Sequence, residues 1–211
     1  MPITEAGTYD IDIEDKDGNK DTIEFTIAAG ATLSPTTGNV DTTLTLSGIG
    51  FKAGETVTIK YDDTLVATAT ANANGGFSLN FKAPVSVGGI HSIIITDGDT
   101  TITQLFIMES TPPPIPALLL PEDTDKTKAE IYFDWDDVTD PSGVTYTFQI
   151  ATDNDFTSIV LEKTDLTSAD YNLTGAEELQ PTIKEAPYYW RVKAIDDAFN
   201  ESEWSTIWSF Y

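Results

Sequence analysis

The sequence predicts an all-β protein, built as two β-sandwich domains in tandem behind an N-terminal β-hairpin. Three observations predict this class. Near the C-terminus Tyr188, Trp190, Val192 and Ala194 take every second position, with Tyr189, Arg191 and Lys193 between them. Successive side chains of a strand point to opposite faces, so this run has one apolar and one polar face. Throughout the chain, Thr, Ile, Val and aromatic residues abound, and no segment keeps a helical apolar period for long. Finally, Gly, Pro, Asn and Asp break the chain into short runs, and 211 residues suffice for two separate cores.

Residues 1–29 read as a hairpin. Tyr9, Ile11 and Ile13 alternate on one arm and Ile23, Phe25 and Ile27 on the other, with Asp17, Gly18 and Asn19 supplying a turn. A lone hairpin is marginal in water and its apolar face needs a cover. It is therefore read as the end of a truncated upstream sandwich. It is expected to lie against the next domain or to pair with another chain.

Residues 30–109 supply a full set of short strands. Leu44–Leu46, Val57–Tyr61, Leu65–Ala71, Phe77–Phe81, Ile90–Thr96 and Ile102–Met108 are punctuated by Gly48, Gly50, Gly54, Gly75, Gly76, Gly88 and Gly89. The stretches SGIGFKAGETV and NGGFSLNFKAP, followed by GGIHSIIITDG, resemble the immunoglobulin-like modules repeated in bacterial and archaeal cell-surface proteins. The likeness covers the whole segment and implies a β-sandwich.

Residues 110–116 form a proline-rich linker, because Pro112, Pro113, Pro114 and Pro116 fix φ and favour an extended, stiff spacer. The last domain is expected over 117–211, with Ala117–Leu120 as its first strand. Ile131, Phe133 and Trp135 alternate on one strand, and Tyr146, Phe148 and Ile150 on the next. Tyr171 and Leu173 mark a short strand. The phrases DDVTDPSGVTYTFQIATD and YYWRVKAIDD resemble a fibronectin type III domain of bacterial extracellular proteins. That resemblance implies that Trp135 is the core tryptophan and that Tyr146 and Trp190 join it in the core. It further implies that the Tyr188 hydroxyl bonds to backbone upstream. The turn Leu179–Pro187 departs from the family pattern, being longer and more charged.

Charge and composition exclude several functions. The net charge is −24, and acids outnumber bases 8 to 2 in residues 1–29, 6 to 3 in 30–108 and 21 to 6 in 109–211. Such a field repels nucleic acid and anionic membrane surfaces. Cysteine is absent, which removes thiolate metal sites, cysteine nucleophiles and disulfides. No signal peptide and no run of about 20 apolar residues is present. If the parent protein is exported and anchored, those signals are expected outside this segment.

Candidate chemistry is sparse. Asp15, Asp17, Asn19 and Asp21 alternate, with Glu24 beyond, and oxygen ligands at that spacing suit calcium. A solvated hairpin tip explains them better, since the first ligand position would fall on Ile13. Asp136, Asp137 and Asp140 fall in the loop after Trp135, and Asp196, Asp197, Glu201 and Glu203 in the loop between the last two strands. In a sandwich both loops lie at one end, so these carboxylates are weaker calcium candidates. Tyr132, Tyr189, Phe199 and Trp204 fall on the outward phase or in turns and are the candidate aromatics of a ligand platform, unless they pack over the sandwich end. His91 is expected to point outward from a strand that buries its isoleucines, and no nucleophile elbow accompanies it. Lys60 or Lys82 near Asn80 would suit an intramolecular cross-link, though nothing in the spacing selects them.

These readings converge on a non-catalytic spacer or adhesive segment of a large prokaryotic cell-surface or secreted protein. Its expected partners are neighbouring domains of that protein and a cell-envelope glycan or protein, with no cofactor and with hairpin pairing as a route to self-association. The competing reading is a carbohydrate- or protein-binding accessory region of a secreted hydrolase.

Overall fold

A computed structural model describes residues 5–127, 131–177 and 179–211. Every helix or strand among them is a β-strand. The chain separates into two compact units, Met1–Pro84 with Gly89–Glu109, and Val85–Gly88 with Ser110–Tyr211. Both carry an immunoglobulin-like sandwich.

In the first unit, β1 (Gly7–Glu14) and β2 (Lys20–Ile27) form a ribbon of their own. The sandwich follows as β3 (Gly30–Ser34), β4 (Thr37–Gly38), β5 (Thr43–Ile49), β6 (Thr56–Tyr61), β7 (Thr64–Thr70), β8 (Phe77–Lys82), β9 (Gly89–Thr96) and β10 (Thr101–Met108). One sheet runs β3-β5-β8 and the other β4-β10-β9-β6-β7. Pairing is antiparallel except for β4, which lies parallel to β10. Period-two alternation sends Leu44, Leu46, Val57, Ile59, Ile93, Ile95 and Phe106 into the core, all fully buried. Gly48 is required where it stands: a Cβ there would lie 2.3 Å from the Phe77 ring and 2.8 Å from the Phe51 ring. Its absence lets those rings meet edge to face at 5.2 Å.

The ribbon joins the sandwich at its base. Ala6 N donates to Gly50 O at 2.8 Å, and Ala53 N donates to the Glu5 carboxylate at 2.8 Å. Its apolar face is not laid against the sandwich, since Ile11, Ile13 and Ile23 remain exposed.

His91 corrects an expectation: it is buried, not outward. Ile93, Ile94 and Ile95 are consecutive, so they leave the strand phase open. The structure places His91 in the inward phase with Ile93 and Ile95. Its Nδ1 lies 2.8 Å from Asp62 Oδ2, and Tyr61 covers its ring at 4.8 Å. Burial pulls the Asp62 carboxyl upward, but the bonds from His91 and Ser92 N outweigh it and hold the group below its usual value.

The second unit contains β11 (Leu118–Leu120), β12 (Tyr132–Trp135), β13 (Thr145–Ala151), β14 (Ile159–Leu166), β15 (Asp170–Asn172), β16 (Tyr188–Ile195) and β17 (Trp208–Phe210). The sheets β11-β12-β15 and β14-β13-β16-β17 have the three-plus-four arrangement of a fibronectin type III-like sandwich. Trp135, Tyr146 and Trp190 are buried, and Tyr188 is partly buried at the edge of the cluster. Phe133 sits among Phe148, Trp190 and Phe210 at 4.8, 5.1 and 5.4 Å. Trp135 stacks on Phe148 at 5.8 Å. The tilted and edge-on rings fill the space between the sheets with large apolar area and favourable quadrupole contacts.

Candidate functional site

Strand register builds the outer face of the four-stranded sheet. Glu162 on β14, Gln149 on β13 and Arg191 on β16 stand directly opposite one another. Gln149 Oε1 accepts from Arg191 Nε at 2.9 Å and from the guanidinium NH2 group at 2.8 Å, while Gln149 Nε2 donates to Glu162. The guanidinium is held between two rings, 3.9 Å from Phe156 and 4.0 Å from Trp204. Lys193 approaches the same indole at 5.2 Å and pairs with Glu201.

Trp204 is carried there by two buried serines. Ser202 and Ser205 each give their N–H to β16, to Ala194 O and Val192 O, at 2.9 and 2.8 Å. Each takes a β16 N–H in return on its Oγ, from Ala194 at 2.9 Å and Val192 at 3.0 Å. Residues 202–205 thus stitch along β16, and the side chain between the stitches lands on Arg191.

The structure places the four platform aromatics on separate elements. Tyr132 lies on the three-stranded sheet, Tyr189 on β16, Phe199 on the loop after β16, and Trp204 under the cationic stack. Phe199 and Tyr132 are the more open, at 60% and 43% exposure. Arg191, Gln149, Phe156 and the serine pair do not stand out in the sequence. The Ser-x-x-Ser spacing is visible in the chain, but the Gln149–Arg191 pairing needs the strand register.

The acidic loops are engaged with their own backbone. At the ribbon tip, Asp15 Oδ1 accepts from Asp17 N and Asn19 N at 2.8 and 2.9 Å, and Oδ2 accepts from Asn19 Nδ2 at 2.7 Å. These bonds hold the Asp15 carboxyl below its usual value. Asp21 takes Thr22 N, while Glu24 stands exposed on β2. In the second unit, Tyr146 donates to Asp137 at 2.9 Å and accepts from Val138 N at 3.0 Å. Burial, together with Asp137, pushes the Tyr146 hydroxyl up to about 12. Asp136 is exposed beside this group. The two loops meet, as their topology requires: carboxylate oxygens of Asp140 and Asp196 lie within 4.8 Å of one another. Asp140 accepts from Ser142 N, and Asp196 from Asn200 N and Nδ2. Asp197 stands against Gly143, whose Cβ would lie 3.1 Å from its carboxylate.

At the other end, the Tyr188 hydroxyl donates to Gln180 O at 3.2 Å. A cleft of about 290 Å³ opens beside it, lined by Ile131, Leu179, Gln180, Tyr188, Phe210 and Tyr211 among others. This is at the lower limit of small-molecule sites, which begin at about 300 Å³.

No family model and no curated protein matches this chain. Solved structures with similar chain paths include the BSP domain of a biofilm associated protein, at 20% identity and a TM-score of 0.28, covering 86% of this chain and 29% of that one. A structure of domains from titin shares 12% identity with a TM-score of 0.34, over 98% and 75% of the two chains. The FN1–FN3 domains of chicken CNTN1 share 15% identity with a TM-score of 0.36, over 86% and 64%.

Proposed function

We propose that the chain is a non-catalytic spacer or adhesive segment of a large prokaryotic surface or secreted protein. The observation that supports it is the brace across β14, β13, β16 and residues 202–205. Its amide, guanidinium, carboxylate and serine groups bond to one another or to the strands rather than converging on a cleft. Bonds of this kind join neighbouring strands side by side and resist their sliding. The acid coat keeps such a segment soluble and opposes nucleic-acid binding. In this reading the protein works outside the cell, beside other domains of the same polypeptide and a cell-envelope glycan or protein, and needs no cofactor.

Pulling the full chain by its ends in single-molecule force spectroscopy tests the role. The second unit should rupture in one discrete event that releases roughly 30–35 nm. Trp204→Ala should lower that rupture force. Featureless extension of the chain would sink the spacer role. The accessory binding role is favoured by the open rings of Phe199 and Tyr132. Binding to soluble envelope glycans that disappears in Phe199→Ala would select it instead.

A further inference from the structure

The β1–β2 ribbon repeats the β9–β10 hairpin of the same chain. All four strands have eight residues. Both ribbons pair first residue with last, Gly7 with Ile27 and Gly89 with Met108. An aspartate opens each turn and ties it: Asp15 Oδ1 takes Asp17 N and Asn19 N, and Asp97 Oδ1 takes Asp99 N and Thr100 N. Tyr9, Ile11 and Ile13 fall where His91, Ile93 and Ile95 stand, and Phe25 and Ile27 where Phe106 and Met108 stand.

The matching faces differ in what covers them. His91, Ile93, Ile95, Phe106 and Met108 are at most 6% exposed, within a core whose facing sheet, β3-β5-β8, contributes Leu33, Leu44, Leu46, Phe77 and Phe81. On the ribbon, Ile11, Ile13 and Ile23 are 49%, 47% and 52% exposed.

We propose that β1–β2 is the closing hairpin of a further sandwich, and that its apolar face docks the three-stranded sheet of that sandwich, carried N-terminal to it on the same polypeptide. Strand order gives the direction, because β3, β5 and β8 precede the hairpin they cover. Charge selects the face. Asp10, Asp12, Glu14 and Glu24 stand on the opposite side of the ribbon, so that side stays in solvent. The other side carries a single acid, Asp21, opposite Ile13 at the turn end, where it can stay in solvent at the sandwich rim. The rest of that side, Tyr9, Ile11, Ile13, Ile23, Phe25 and Ile27, suits an uncharged surface, and the core-facing side of β3-β5-β8 is one. A second copy of the ribbon has only the two faces to offer: two strands of eight residues present roughly 27 by 10 Å each, so a pair buries roughly 540 Å², below the ~1,000 Å² of a stable interface between separate chains. A sandwich on the same polypeptide escapes that limit, because its encounter is intramolecular and its edge strands add backbone pairing, as β4 and β6 do for β9–β10.

The test places a second copy of residues 30–84, β3 to β8, ahead of residue 1 of the full chain through a flexible linker. That copy supplies the covering sheet together with β4 and β6, the edge partners of a closing hairpin. Hydrogen exchange of the β1 and β2 amides should slow on the order of 100-fold relative to the unfused chain. The double variant Ile11→Asp, Ile23→Asp should abolish the slowing and leave β9–β10 exchange unchanged. Unaltered β1–β2 exchange in the fused chain would overturn the proposal, as would loss of protection in β9–β10 through exchange of hairpins. Protection that fades on dilution would assign the face to a second copy and overturn it equally.

Discussion

The Glu177 carboxylate is held by Lys163 and by Thr174, whose N and Oγ1 lie at 3.0 and 2.9 Å, and the Tyr171 hydroxyl lies 2.7–2.8 Å from both its oxygens. The Lys163 bond first, then the Thr174 amide, brings this carboxyl from its ordinary 4.5 down to about 2. Its folded value lies below its unfolded one, so the group stabilises the fold above about pH 4.5, and that contribution is lost as pH falls through about 2. Glu177→Gln should therefore melt roughly 5 °C below the parent at pH 6. The two melting curves should draw together as pH falls from 4.5 to 2, and a gap that does not change with pH would refute the assignment. The Lys163 partner is not legible in the sequence: Glu177 sits in the turn after β15, while Lys163 lies on β14. Trp135 is legible, because alternation with Ile131 and Phe133 gives it an inward phase from the chain alone.

Among the elements, β16 and its neighbours hold the second unit's polar face together. Phe156 adopts a φ of 53°, a left-handed conformation that non-glycine residues rarely take, and its ring reaches the Arg191 guanidinium. Arg191→Lys keeps the charge but loses the planar fork on Gln149 and the stack between two rings. It should lower stability by about 1–2 kcal/mol in urea unfolding. A loss within about 0.5 kcal/mol, the range of ordinary surface changes, would mean the stack contributes little. Strands with strong alternation are readable, so Val57–Tyr61 and Phe77–Phe81 match β6 and β8 to within a residue. β14 is not, because it is an edge strand whose side chains are mostly exposed and show no apolar period. Likewise β4, two residues long, gains its identity from parallel pairing with β10, which no local pattern encodes.

At the scale of the whole molecule, a net charge of −24 works against compactness while favouring solubility. Raising sodium chloride from about 10 to about 150 mM shortens the screening length from about 30 to about 8 Å, which weakens repulsion among dispersed carboxylates. Both units should therefore melt higher in salt. Calcium chloride at matched ionic strength should add no more than about 2 °C. The reason lies in what the acids already do: Asp15, Asp140 and Asp196 each accept backbone N–H groups that shape their own turns. Calcium coordination would have to compete with those bonds. Calorimetry in calcium, in matched sodium chloride and in chelator separates general screening from a specific site. A calcium-specific rise that Asp140→Asn removes would place an ion between the two loops of the second unit. A rise common to both salts would leave the acids as a solvated coat whose local work is turn formation.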